Sequence, residues 1–198
     1  MLDRLLMAPA FLIALTIHEL AHALTADRLG DPTPRSDGRI SLNPLKHLDP
    51  YGALLFLVTG FGWAKPVVFD PYNLAHPRRD GSLIALAGPA SNLTVATLVA
   101  LLIRFIPLLS PLDFILYPFV FINVSLAIFN LVPVSPLDGE KILAGLLPRD
   151  MAYEFQTVMN RYGTIILIVL LLPVFGRTSP IQSLISPIIS SISYFLLP

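Results

Sequence analysis

His18, Glu19 and His22 lie within five residues of one another in the stretch IALTIHELAHALTA, residues 13–26. Side chains four apart share one helix face, so the two imidazoles can hold a single metal ion between them. Glu19 lies beside that face, placed to hold a water next to the metal rather than to hold the metal. A positioned carboxylate of this kind can take a proton from that water and later pass it to a leaving amine. H-E-x-x-H on a helix is the pattern of zinc metalloproteases. Zinc in catalytic sites takes three protein ligands and leaves one position open, so a third ligand is required. The strongest candidate is Asp138 in PVSPLDG, where Pro133 and Pro136 stop a helix and Gly139 permits a turn that aims the carboxylate.

The elements that must position these groups belong to a membrane. The chain has 198 residues, 55% of them hydrophobic and 13% charged, with a mean hydropathy of +0.73. Soluble domains carry roughly twice that charged fraction. Zero net charge gives no general attraction to nucleic acid. The absence of cysteine removes disulfides and thiolate ligands. An unpaired ionisable residue in hydrocarbon costs about 2.5–3.5 kcal/mol, so three within one turn and a half require a purpose.

The fold expected is an all-α polytopic membrane protein with about five transmembrane spans, at 5–26, 82–106, 113–132, 161–175 and 181–197. The segment YGALLFLVTGF, 51–61, is too short to cross and is expected to be re-entrant or interfacial. GRISLN, 38–43, and parts of 62–81 are expected as short extended pieces near the cytoplasmic side. A short amphipathic helix is expected within 138–160. Ten of the thirteen Lys and Arg residues fall on the side of the 27–81 and 133–161 loops, leaving Arg4, Arg104 and Arg177 opposite. That bias puts these loops, and the site near them, at the cytoplasmic face. Residues 1–198 read as a single membrane-embedded metalloprotease domain, with a motif-bearing core at about 10–145 and C-terminal spans at 161–198.

HELAH, GRISLNPLKHLDPYG, GWAKPV, AGPASN and FNLVPVSPLDG, in that order, resemble the site-2 protease family of intramembrane zinc metalloproteases. The resemblance is to the prokaryotic branch without a PDZ or CBS domain. It implies that His18, His22 and Asp138 hold one Zn2+ and that Glu19 is the general base. It implies a transmembrane protein or peptide as substrate, cut in or near the bilayer of a prokaryotic inner (plasma) membrane. The family often has a helix ahead of its H-E-x-x-H span. With only 17 residues before His18, none is expected here.

Other polar positions carry two readings each. Asn92 in GPASN and Asn130 in NLVPVSPLDG can donate to a developing oxyanion or to substrate backbone, or bond helix to helix. Ile40 and Leu42, on an edge strand, would pair with an unwound substrate by strand addition. Trp63 and Lys65 read as interface anchors or as lining of an entry path, and Arg78 and Arg79 as determinants of topology. Gly88 with Pro89 lets its span pack closely or kink. His47 and His76 read as solvated loop histidines. Two other classes share these features: a metal-binding pseudoprotease or membrane chaperone, and an ion or proton transporter using His, Glu and Asp as a relay. The intact glutamate disfavours the first and the lack of an inverted repeat the second. No residue identifies the substrate, the pathway, a regulatory partner or the oligomeric state.

Overall fold

The computed structural model describes residues 2–59, 62–173 and 178–198. Arg177, Gly60 and Phe61, and the end of the span expected at 161–175, lie outside the described residues. The described elements are helices and 3-10 turns, with no strand among them.

Helix α1 (Leu2–Arg28) carries the H-E-x-x-H sequence. Gly30 ends it with φ at 107°. The Gly30 and Asp31 amides turn back to the carbonyls of Asp27 and Ala26, a left-handed cap that glycine enters without steric cost. The Asp31 side chain then fastens the loop. It accepts from the Thr33 amide and hydroxyl, from Asn73 Nδ2 and from the Asp70 amide, at 2.6–3.1 Å. A four-residue helix, α2 (Thr33–Ser36), follows.

Burial by itself would push the Asp31 carboxyl up, but these donors outweigh it and hold the group below its ordinary 3.8. A depressed folded-state value contributes stability above the unfolded value and loses it as pH falls through the folded one. Thermal unfolding in detergent should therefore show a loss of Tm below about pH 3.8 that is smaller in Asp31→Asn. Parallel curves for the two proteins would refute that role.

The loop from Asp37 to Asp49 forms no strand. Buried Arg39 reaches the carbonyls of Lys46, Lys65 and Pro66, and His47 Nε2 donates to Ser41 O at 2.8 Å. These bonds bend the backbone where GRISLN alternates, leaving Leu42 73% exposed. The extended pairing reduces to one antiparallel bridge between Leu48 and Ala64. His47 is fully buried rather than solvated. Exposed His76 fits its expectation.

Helix α3 (Pro50–Thr59) has ten residues, about 15 Å of rise, half of a ~30 Å hydrocarbon layer. It leans on α1 through Phe56 stacked on Phe11, ring centroids 4.1 Å apart.

Helices α4 (Pro77–Phe105) and α5 (Asp113–Asn130) pack against α1 and each other. Small residues on α4, among them Gly81, Ala85, Gly88, Ala96 and Ala100, are buried. They let backbones approach closely, as in membrane helix packing. Leu98, Leu101, Leu102, Phe114 and Ile115 stay exposed, an apolar exterior that suits lipid.

Of the five spans the sequence predicts, three meet both length and apolarity among the described residues: Met7–Arg28, Pro77–Phe105 and Pro107–Asn130. The short amphipathic helix expected within 138–160 is α6 (Asp138–Leu146). After Leu147-Pro148 the chain re-enters helix at Arg149 and runs without a break into the expected fourth span as α7 (Arg149–Leu171), 23 residues with its charges between Arg149 and Arg161. Helix α8 (Pro180–Leu196) is apolar but has 17 residues. It buries Ile181, Ile185, Ile189 and Ser193 at four-residue spacing, one helical stripe against a core that includes Val120, Val124 and Leu137.

Candidate metal centre

Helix α1 presents His18 and His22 on one face, the rings edge to face with centroids 4.6 Å apart. Their partner comes from 116 residues further along. After α5, residues 131–137 fold into tight turns, with the Val134 amide on Val132 O and the Leu137 amide on Val134 O. These turns deliver Asp138 as the first residue of α6. Gly139 makes the delivery sterically feasible: a Cβ there would lie 2.3 Å from Leu131 O and 2.4 Å from Val132 O. Asp138 Oδ2 lies 3.1 Å from His18 Nε2 and 3.3 Å from His22 Nε2. One ligand atom from each of the three lies within 4.8 Å of the others.

The hydrogen bonds behind the rings determine their tautomers. His22 Nδ1 is 2.7 Å from Ile84 O, which can only accept. His18 Nδ1 is 2.6 Å from Asn92 Oδ1. The orientation of that amide follows from its other end, where Nδ2 donates to Ala14 O and Asn123 Oδ1, each at 3.0 Å. Both Nδ1 atoms therefore carry hydrogen, and both Nε2 atoms face the Asp138 carboxylate, where each can serve as a ligand in its neutral form. The spacings approach the roughly 3.3 Å edge of a tetrahedron with ~2.0–2.1 Å bonds. The donor set fits a metal ion of the zinc type, and the Ile84 carbonyl and Asn92 amide behind the rings are what such histidines require.

Gly88 on α4 forms the floor. A Cβ at that position would lie 2.4 Å from His22 Nε2 and 2.7 Å from His18 Cε1. Glu19 is buried beside the histidines, and its Oε2 accepts from the Val67 amide at 2.9 Å. Val67 belongs to the strap 62–70, which the Arg39 guanidinium clasps through the Lys65 and Pro66 carbonyls. At the other end, a Cβ on Gly163 would lie 2.6 Å from Ser135 Cβ. Helix α7 thus braces the turns that carry Asp138, although its sequence bears no motif.

The structure brings His18, Glu19, His22, Asp138 and Asn92 together. Asn92 lies wholly buried behind His18, with both amide hydrogens in use, so none remains for an oxyanion. The helix-to-helix reading describes its bonds. Asn130 Nδ2 donates to Leu126 O within α5 at 2.9 Å. Ile40 and Leu42 lie on the bent loop and form no edge strand. Trp63 is 45% exposed, compatible with an anchor.

Sequence reasoning missed Asn123, Arg39 and Asp31 as organisers. Asn123, a buried amide in an otherwise apolar span, carried a readable signal. Asn92→Ala should lower metal affinity roughly 10–100-fold, because it leaves His18 free to turn and strands the Asn123 amide. Chelator competition measures this, and wild-type affinity would show that the Asn92 bond does not hold His18 for the metal.

Residues 108–170 match the family model described as Peptidase family M50. The chain is 37% identical over 174 residues to "Putative zinc metalloprotease YwhC" of Bacillus subtilis, covering 83% of this chain and 79% of that protein. It is 30% identical over 186 residues to "Putative zinc metalloprotease Rip2" of Mycolicibacterium smegmatis, covering 87% of this chain and 69% of that protein. No solved structure matches.

Proposed function

Since the chain belongs to peptidase family M50, the site-2 protease family, and is a metalloendopeptidase, we propose that it cuts membrane-protein substrates in or near their transmembrane segments. One zinc ion is held by His18, His22 and Asp138, and Glu19 is the general base. The observation that carries this reading is the convergence of two histidine Nε2 atoms on the Asp138 carboxylate beside Glu19, on helices packed among apolar spans. The relatives' names supply the metal.

When bound, zinc acts as a Lewis acid that brings the pKa of water towards ~7. The rest is the work of the chain. Glu19 takes the proton of the attacking water as oxygen bonds to the scissile carbonyl carbon. It returns that proton to the amide nitrogen as the C–N bond breaks. The Val67 amide holds Glu19 by Oε2, leaving the other oxygen for the water. Asn92 and Ile84 O hold the imidazoles in one tautomer throughout. Asn130, at the start of the ligand turns, remains the candidate to meet the substrate backbone.

His22 and His18 lie six and ten residues before Arg28, about 9 and 15 Å along the helix. Water reaches them from the side on which α1 ends, which the charge bias assigns to the cytoplasm of a prokaryotic inner membrane. A helical substrate must unwind there, because its carbonyls are otherwise engaged in intrachain bonds. The whole chain acts as a single domain, with α7 and α8 completing the membrane body.

The test is zinc content beside cleavage of a model transmembrane substrate in detergent, for wild type and Asp138→Ala. Wild type should hold one zinc and cleave; Asp138→Ala should hold zinc weakly and not cleave. No zinc in wild type would overturn the metal assignment. Zinc with cleavage of soluble peptides only would overturn the intramembrane substrate.

A further inference from the structure

A second site stands apart from the metal centre, where the first turns of α4 and α7 meet. The cleft between them has a volume of about 540 Å³, and its walls include His76, Arg78, Arg79, Arg149, Tyr153 and Gln156. No carboxylate lines it. None of the three arginines forms an ion pair among the described residues. The nearest acids in sequence are accounted for elsewhere: Asp80 is buried and accepts from the His76 amide, while Asp150 and Glu154 are not among the lining residues. Arg78 is held in place by a 2.8 Å bond to Leu147 O. Each first turn carries one acid, Asp80 on α4 and Asp150 on α7, and neither lines the cleft. A neutral chain has thus concentrated three guanidinium groups around a cavity without supplying their counter-ion.

We propose that this cleft binds the phosphate of an anionic phospholipid headgroup. The choice of a lipid over a soluble phosphate follows from position. The cleft opens at the end of α4, a helix apolar enough to cross a membrane, where its charged first turn meets the apolar body. Tyr153, 75% exposed at the rim, is of the type that sits at headgroup level. Basic pockets at the ends of membrane helices take anionic headgroups, and each basic side chain at such a surface contributes a roughly fivefold preference. The lipid would join the start of α4 to α7, the helix that braces the Asp138 turns.

The test is native mass spectrometry of the full-length protein with equal amounts of phosphatidylglycerol and phosphatidylcholine. A parallel arm follows thermal unfolding with each lipid and with inorganic phosphate. Wild type should retain phosphatidylglycerol over phosphatidylcholine. Arg79→Gln with Arg149→Gln should lower that preference roughly fivefold per charge removed, and Arg79→Lys with Arg149→Lys should keep most of it. Arg149→Gln alone serves if the double variant does not fold, since that side chain makes no hydrogen bond or ion pair among the described residues. An unchanged preference in the Gln variants, or equal retention of the two lipids by wild type, would overturn the proposal. Inorganic phosphate raising Tm as much as phosphatidylglycerol would overturn the lipid in favour of a soluble anion. Because neither arginine touches the metal centre, metal content should stay at the wild-type level in every variant.

Discussion

Glu19→Gln is expected to keep its metal and to lose peptide-bond hydrolysis by roughly 10²–10⁴-fold. The substitution is nearly isosteric. The glutamine carbonyl oxygen can accept the Val67 amide as Oε2 does now at 2.9 Å, so the 62–70 strap stays in place. The three groups that could hold the ion, His18, His22 and Asp138, are untouched. What disappears is an oxygen that can carry a proton from water to the leaving nitrogen. Zinc content measured beside cleavage of a transmembrane substrate separates the outcomes. Retained zinc with lost cleavage assigns Glu19 as the base. Unchanged cleavage would remove it from the mechanism, and lost zinc would make it a structural support of the site. A chain that holds zinc but serves as a chaperone would be indifferent to this change.

Gly88→Ala should weaken the site's hold on its metal without altering any ligand. The added carbon would lie 2.4 Å from His22 Nε2, 2.5 Å from its Cε1 and 2.7 Å from His18 Cε1. Neither partner can yield cheaply. The His22 ring is held by Ile84 O and the His18 ring by Asn92 Oδ1, and both of those groups belong to α4, the helix that carries Gly88. Rotating a ring breaks its Nδ1 bond, and moving α4 away from α1 breaks both bonds and that from Asn92 to Ala14 O. Overpacking of this kind costs about 1–3 kcal/mol in a well-packed interior. The metal affinity should fall at least as far as the roughly 10–100-fold typical of losing a group behind a ligand, and cleavage should fall with it. Gly81→Ala is the control on the same helix, since its added carbon would meet only Phe69, at 3.6 Å. Wild-type zinc affinity in Gly88→Ala would show that α4 is looser than its hydrogen bonds imply.

Much of the molecule is legible in local pattern. Helical spacing alone puts His18 and His22 on one face, because 3.6 residues per turn is a property of every α-helix. The 55% hydrophobic composition and the long apolar runs assign the chain to a membrane and mark α1, α4 and α5. Two prolines three apart, Pro133 and Pro136, remove two backbone donors from one stretch, so the break that releases Asp138 is readable as well. The limits of this reading are seen at GRISLN. Its alternation suggested a strand, but Arg39 takes carbonyls from Lys46, Lys65 and Pro66 and folds the segment into turns. Similarly, His47 sits in a polar stretch and is nevertheless fully buried, because burial depends on what folds over a loop.

The sequence by itself determined the class of the protein, the helix that bears the histidine pair and the kind of residue that must complete the site. Tertiary structure alone decided that Asp138 meets those histidines and that Gly88 lies beneath both rings. It also decided that Asn92 serves the His18 ring, that the strap's backbone holds Glu19 and that α7 braces the ligand turns. The physical reason is that the Ile84 carbonyl and the Val67 amide are backbone groups, which every residue but proline possesses in full, so no residue type announces them. Their roles come into being only when α1, α4 and the strap are packed to within a hydrogen bond of one another.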